Sequence, residues 1–125
     1  MFEGYSLNVT AAADAAFPIN NVTIQKGCTA VLNGTSTVQF NKCGVYMVAC
    51  NGSAAAASTI QLAKDGVLQP QAQSTGTSPA FVTLVQVPNS NSNCCCSSPT
   101  IVQVVNPTAA AETLTSLNIV VTKVC

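Results

Sequence analysis

The stretch Val38-Gln39-Phe40-Asn41-Lys42-Cys43-Gly44-Val45-Tyr46-Met47-Val48-Ala49-Cys50 decides how this chain is read. It has two alternating arms. Val38 and Phe40 share one face of an extended segment, with Gln39 and Asn41 on the other. After Lys42-Cys43-Gly44 the alternation resumes, with Tyr46, Val48 and Cys50 on one side and Val45, Met47 and Ala49 on the other. Apolar residues on both sides predict a strand covered on both faces, in the middle of a layered β structure.

The segments around it carry the same signal. Phe2 to Thr10 predicts a first strand in which Tyr5, Leu7 and Val9 alternate with Ser6, Asn8 and Thr10. The alanine-rich run at 11–16 is too short to sustain a helix and predicts a connection. Phe17 to Ile24 is extended, and Pro18 makes it an edge or irregular strand. Cys28 to Leu32 is a short strand closed by Asn33-Gly34, a hairpin signal. Thr59 to Lys64 is a strand with Ile60 and Leu62 on one face, and Asp65-Gly66 turns it back into Val67-Leu68-Gln69. Pro70 to Pro79 predicts a loop or weak edge. Phe81 to Val87 is a strand closed by Pro88, Asn89 to Ser98 a polar loop, Pro99 to Asn106 a strand, and Leu114 to Val124 the last and longest strand. Eight to ten antiparallel strands with no amphipathic helix predict an all-β sandwich or barrel.

Composition sets the boundaries. At 125 residues the chain is one domain with enough length for a real core. Apolar residues make up 48% and charged residues 6%, with a formal net charge of zero. That balance excludes nucleic acid, which needs clustered Lys and Arg, and electrostatic docking to membranes. No stretch is long and apolar enough to span a bilayer as a helix. A surface so poor in charge favours association, so a homo-oligomer is expected. The start at Met1-Phe2-Glu3-Gly4-Tyr5 has no basic n-region or apolar h-region, so the expectation is either a signal segment removed ahead of this numbering or, favoured by Met1, assembly in a cytoplasm with reduced thiols.

Catalysis has little to work with. There is no His, and the acids Glu3, Asp14, Asp65 and Glu112 lie far apart in sequence. Ser and Cys nucleophiles therefore lack the base that usually activates them. No enzyme activity and no cofactor are expected. The seven cysteines are Cys28, Cys43, Cys50, Cys94, Cys95, Cys96 and Cys125, an odd count that cannot pair completely within one chain. Cys43 and Cys50 flank the central strand and read as buried thiols that behave as small hydrophobes. For Cys94-Cys95-Cys96 three readings stay open: an exposed reduced loop, which ranks first, disulfides between subunits, and capture of a soft metal in an oligomer. Cys125 is free to reach another subunit.

Three features resemble a known family. A Phe precedes a Gly-x-Tyr-x-Val core (Phe40, then Gly44-Val45-Tyr46-Met47-Val48). A strand–Asp-Gly–strand hairpin follows (Ile60 to Val67), and a terminal strand of alternating apolar residues closes the chain (Leu117 to Val124). Together, over roughly Asn33 to Cys125, they resemble the trimeric jelly roll of the tumour-necrosis-factor and complement-like superfamily. They are most similar to bacterial spore-surface domains and phage head-fibre or decoration domains. The resemblance implies a ten-strand jelly roll assembled as a homotrimer about an apolar three-fold axis, with Phe40, Tyr46 and Val48 in the core. It implies a structural virion protein on the virion surface, assembled in the host cytoplasm against capsid or another structural protein. Residues 1–32 would then be a docking or first-strand region of the single domain 1–125. The alternative is a trimeric recognition module for a host receptor or glycan, or a spore-surface or cell-surface structural protein, with contacts in the loops Gln71 to Ser78 and Asn89 to Ser98.

Overall fold

A computed structural model of the chain describes residues 1–26, 30–87 and 95–124, with the backbone alone over 95–99. The described residues form ten strands: β1 (Phe2–Ala11), β2 (Asn21–Gln25), β3 (Ala30–Asn33), β4 (Thr37–Lys42), β5 (Gly44–Ser53), β6 (Ser58–Lys64), β7 (Val67–Gly76), β8 (Ala80–Val87), β9 (Cys95–Val105) and β10 (Glu112–Lys123). They build two five-stranded sheets, in the orders β2-β1-β10-β5-β8 and β3-β4-β9-β6-β7. Every pairing is antiparallel. The architecture is a jelly-roll sandwich.

The Val38–Cys50 stretch is the corner of this sandwich. β4 lies in the second sheet and β5 in the first, so the chain changes layers at Cys43-Gly44. Gly44 stands at φ 141, where a side chain would be strained, and this freedom permits the turn. The corner is closed from within. Phe40 and Tyr46 stack across the two sheets with ring centroids 4.5 Å apart and planes inclined by 26°. The Tyr46 hydroxyl donates to the Lys42 carbonyl at 2.7 Å, satisfying the one polar atom the ring carries inside. Phe40 and Val48 are fully buried, and Tyr46 very nearly so. Val38, Ile60, Leu62, Val102 and Val104 complete the second sheet's inner face, and Phe2, Leu114, Leu117, Ile119 and Val121 much of the first's. β5 departs from expectation on its other side. Val45, Met47 and Ala49 are only half-buried, because among the described residues no layer covers the outer face of the first sheet.

Other expectations are corrected by local geometry. Tyr5, Leu7 and Val9 do not share a face: Tyr5 and Leu7 are exposed, while Phe2, Ser6, Val9 and Ala11 point inward. Asn8 stands at φ 53 and reverses the phase of the alternation. β10 changes phase at the paired position, between Leu114 and Leu117, so the register is kept. Of the two expectations for 70–79, loop or weak edge, the structure takes the edge over 70–76. β7 runs through Pro70 as the edge strand of its sheet, and the Pro falls where the pairing with β6 is interrupted between Ala63↔Leu68 and Gln61↔Gln73. An edge or a bulge needs no N–H at that position. Likewise β9 begins at Cys95 rather than Pro99, because Lys42 pairs with Cys95 across a register shift that accommodates the Pro. Backbone pairing is indifferent to the polar side chains that suggested a loop.

The connections are tied down by polar clamps. Asp65 and Gly66, at φ 51 and 82, make the two-residue β6–β7 turn. Asp65 also donates its N–H to the Ile101 carbonyl at 2.8 Å, and its Oδ1 accepts the Ile101 N–H at 3.0 Å. Asn106, fully buried, donates to the carbonyls of Ala11, Ala12 and Ala110 and accepts from the Thr108 N–H and hydroxyl. Glu112, at the start of β10, accepts the Thr59 N–H of β6 with its carboxylate, bridging the two sheets. Residue 16 bridges Val105, which continues the second sheet past β4.

Candidate assembly face

The period-2 geometry of the first sheet decides which side chains face outward. On β8 the inward residues are Phe81, Thr83, Val85 and Val87, leaving Val82 and Leu84 outward at 65% and 61% exposure. Leu84 stands opposite Met47 and Val82 opposite Ala49 on β5. Ala49 in turn stands opposite Val120 on β10, and Val120 opposite Glu3 on β1. Rows of cross-strand neighbours therefore gather Val45, Met47, Ala49, Val82, Leu84 and Val120 into an apolar patch, bordered by Gln86 on β8, Asn51 on β5 and Asn118 and Thr122 on β10, with Tyr5 and Leu7 beyond Asn118. Glu3, the charge in these rows, lies at the margin, and its Oε1 accepts the Thr23 hydroxyl at 2.8 Å.

The second sheet presents the opposite chemistry. Its outer side carries Thr37, Gln39, Asn41, Thr59, Gln61, Gln73 and Gln103, interspersed with the apolar Val31, Ile101, Ala63, Leu68 and Val105. Their amides interlock: Asn33 donates to Gln39, Gln39 to Asn41, Gln61 to the Gln69 carbonyl and Gln103 to the Thr37 hydroxyl, all within 2.7–3.1 Å. The sandwich thus has one face suited to water and one whose burial is favourable by roughly 25 cal/mol per Å² of apolar area removed from solvent.

The cysteines divide. Cys50 is free and buried on the inner face of β5, and desolvation pushes its thiol up to about 12 from the ordinary 9.0. Cys43 is disulfide-bonded, which overturns its reading as a free thiol and the expectation of uniformly reduced cysteines. The backbone of Cys95 and Cys96 is in β9; Cys28, Cys94 and Cys125 lie outside the described residues. Tyr46, desolvated in the core, titrates above the ordinary tyrosine range. Of the two loops proposed for recognition, 71–76 is edge strand, and 88–94 lies outside the described residues. Among the described residues no group of three or more His, Cys, Asp or Glu side chains is placed to hold a metal ion, and no helix is long and apolar enough to cross a membrane.

Sequence reasoning marked the outer residues of β5 but not Val82 and Leu84. The signal was present: residues 81–87 are apolar at both phases of the alternation, as residues 45–50 are.

The fold has known counterparts. Murine APRIL at pH 8.0 superposes with a TM-score of 0.64 over 98% of both chains at 13% sequence identity. The fold is a tumour-necrosis-factor-like jelly roll. Murine APRIL at pH 5.0 superposes with a TM-score of 0.58 over 98% of this chain and 99% of that one, at 11% identity. These identities establish shared architecture alone. No protein-family model and no curated protein sequence matches the chain.

Proposed function

We propose that this tumour-necrosis-factor-like jelly roll is a structural module that assembles as a homotrimer through the outer face of its first sheet. We further propose that it serves on a virion surface as a head-fibre or capsid-decoration domain. One observation carries the assembly: an uncharged, partly exposed apolar patch centred on β5 and β8 and reaching Val120 of β10, on a chain with 6% charged residues. Apolar side chains left in water at this density favour self-association. A jelly roll that presents one apolar face can bury it in a closed ring of three copies, as in the trimeric family the sequence resembles. The particle-surface role rests on that resemblance, and the absence of His from the sequence argues for a structural rather than catalytic task. Cys94, Cys95, Cys96 and Cys125 belong to the proposal as thiols able to cross-link subunits once the assembly meets an oxidising medium.

Light scattering of the intact chain tests the assembly. Three copies of the 12.7 kDa chain are expected per particle, and a clean monomer at micromolar concentration overturns it. Binding to isolated capsids tests the location, since a trimer that does not bind them loses the decoration role while keeping the assembly. A denaturing gel without reductant reads the cross-links directly, with alkylation applied before unfolding.

A further inference from the structure

A cleft of about 260 Å³ opens on the outer side of the second sheet, on the opposite face from the apolar surface. Three segments far apart in sequence build it: Asp14 from the β1–β2 connection, Ala63, Gly66 and Leu68 from the β6–β7 hairpin, and residues 103 and 105–107 at the end of β9. Its floor is apolar. Ala63 and Val105 are 5% and 7% exposed yet lie outside the sandwich core, because they point to the outer side of β6 and β9 and are covered by the walls of the cleft. Those walls are held in place. The two Asp65–Ile101 hydrogen bonds, one through the Asp65 N–H and one through its carboxylate, fix the hairpin against β9, and the Asn106 amide fixes the β1 end and the 106–110 turn. The site is therefore formed before any ligand arrives, as small-molecule sites usually are.

Asp14 is the only charged residue of the lining, it is exposed, and its carboxylate takes no part in the hydrogen bonds of the described residues. Its backbone stands at φ 59, a left-handed turn conformation that Asp and Asn adopt readily, as Asn8 and Asp65 do here. Gln103 donates one N–H to the Thr37 hydroxyl, which leaves its second N–H and its Oε1 open. Asn106 has both ends of its amide engaged and serves as scaffold. The cleft thus offers one carboxylate without a partner among the described residues, the Gln103 amide with one open N–H and its Oε1, and an apolar floor of Ala63, Leu68, Val105 and Pro107. An anion is excluded by charge. A neutral polyol would leave the carboxylate uncompensated and finds no aromatic ring to lie on.

We propose that this cleft binds a primary ammonium carried on a short aliphatic stem, the group offered by a lysine side chain or by a free alkylamine. The ammonium donates to Asp14 and to Gln103 Oε1, and the methylene stem covers the apolar floor. The volume suits one such side chain and is below the range typical of drug-sized ligands. Because the cleft lies on the outer side of the second sheet, the proposal stands whether or not the first sheet's face is buried in a trimer.

The test is a titration of the ¹⁵N-labelled full-length protein followed by amide chemical shifts. The probes are Nα-acetyl-lysine amide, 1,5-diaminopentane, the uncharged Nα-acetyl-norleucine amide, and glucose. Both amines are expected to shift the amides of Asp14, Gly66, Gln103 and Asn106 and to saturate in the millimolar range. The norleucine compound and glucose should bind at least about fivefold more weakly, the scale of one exposed ion pair. Asp14→Asn retains a residue that tolerates positive φ and should lower amine affinity by the same factor while leaving the rest of the spectrum in place. Preference for the lysine derivative over the diamine identifies a protein partner; equal binding identifies a free amine. The proposal is overturned if no probe shifts these amides, if the neutral compounds shift them as strongly as the amines, or if Asp14→Asn binds amines with unchanged affinity.

Discussion

Leu84→Glu separates assembly from folding. In the single chain Leu84 is 61% exposed and sits opposite Met47 on the outer face of β8. Full burial of a Leu side chain is favourable by about 1.5–3 kcal/mol. With about six-tenths of it left to cover, assembly gains about 1–2 kcal/mol per chain at this position, or about 3–5 kcal/mol over three chains. A glutamate forfeits that gain and adds a carboxylate whose burial costs several kcal/mol without a partner. The monomer is barely affected, because an exposed β-strand position usually changes stability by no more than about 0.5 kcal/mol. The expected result is a folded monomer: one chain by light scattering at tens of micromolar, with an unchanged far-ultraviolet circular dichroism spectrum. Gln73→Glu, at an exposed position of the opposite sheet, is the control and should stay assembled. The reasoning is refuted if Leu84→Glu still scatters as three chains, or if Gln73→Glu dissociates equally.

Phe40→Ala and Tyr46→Ala should each cost about 3–5 kcal/mol in a urea titration, since each empties one half of the stacked pair at the sandwich corner; native stability in either variant would show that the corner does not depend on it. The Cys50 thiol, at about 12 when folded against 9.0 ordinarily, keeps its proton in the folded state after the unfolded chain has lost it. Stability from this group is complete below pH 9 and falls as pH rises towards 12, by about 4 kcal/mol in all. Urea midpoints measured across that interval should fall less steeply in Cys50→Ala, and parallel profiles would exclude Cys50 as the cause. Gly52→Ala should lose about 1–3 kcal/mol in thermal melts, because the added carbon would lie 2.9 Å from the Ser116 carbonyl oxygen of β10, which cannot swing aside as a side chain can.

Much of the inner face was legible without coordinates. The alternation of Val38 with Phe40, of Tyr46 with Val48 and Cys50, and of Ile60 with Leu62 named residues that are buried, because a strand places every second side chain on the same side whatever its partners are. Asp65-Gly66 announced its hairpin because few other residue pairs accept positive φ at both positions. Asn8 was not legible: its positive φ answers to the strand beside it, and it reverses the phase that Tyr5, Leu7 and Val9 suggested. β7 and the start of β9 were hidden for a related reason. Their extension through Pro70 and Pro99 depends on irregular pairing with neighbours from elsewhere in the chain.

Local periodicity and turn chemistry, which act over two to four residues, determined that this chain is a β-sandwich with a tightly packed inner face and a surface nearly without charge. Tertiary structure alone decided which layer each strand joins. It also decided that Val82 and Leu84 line up with Met47, Ala49 and Val120 on one uncovered face, and that Asp14, Leu68 and Gln103 meet in one cleft. Those outcomes depend on pairing order and register between strands separated by tens of residues, which the free energy of the whole fold selects and no short window of sequence contains.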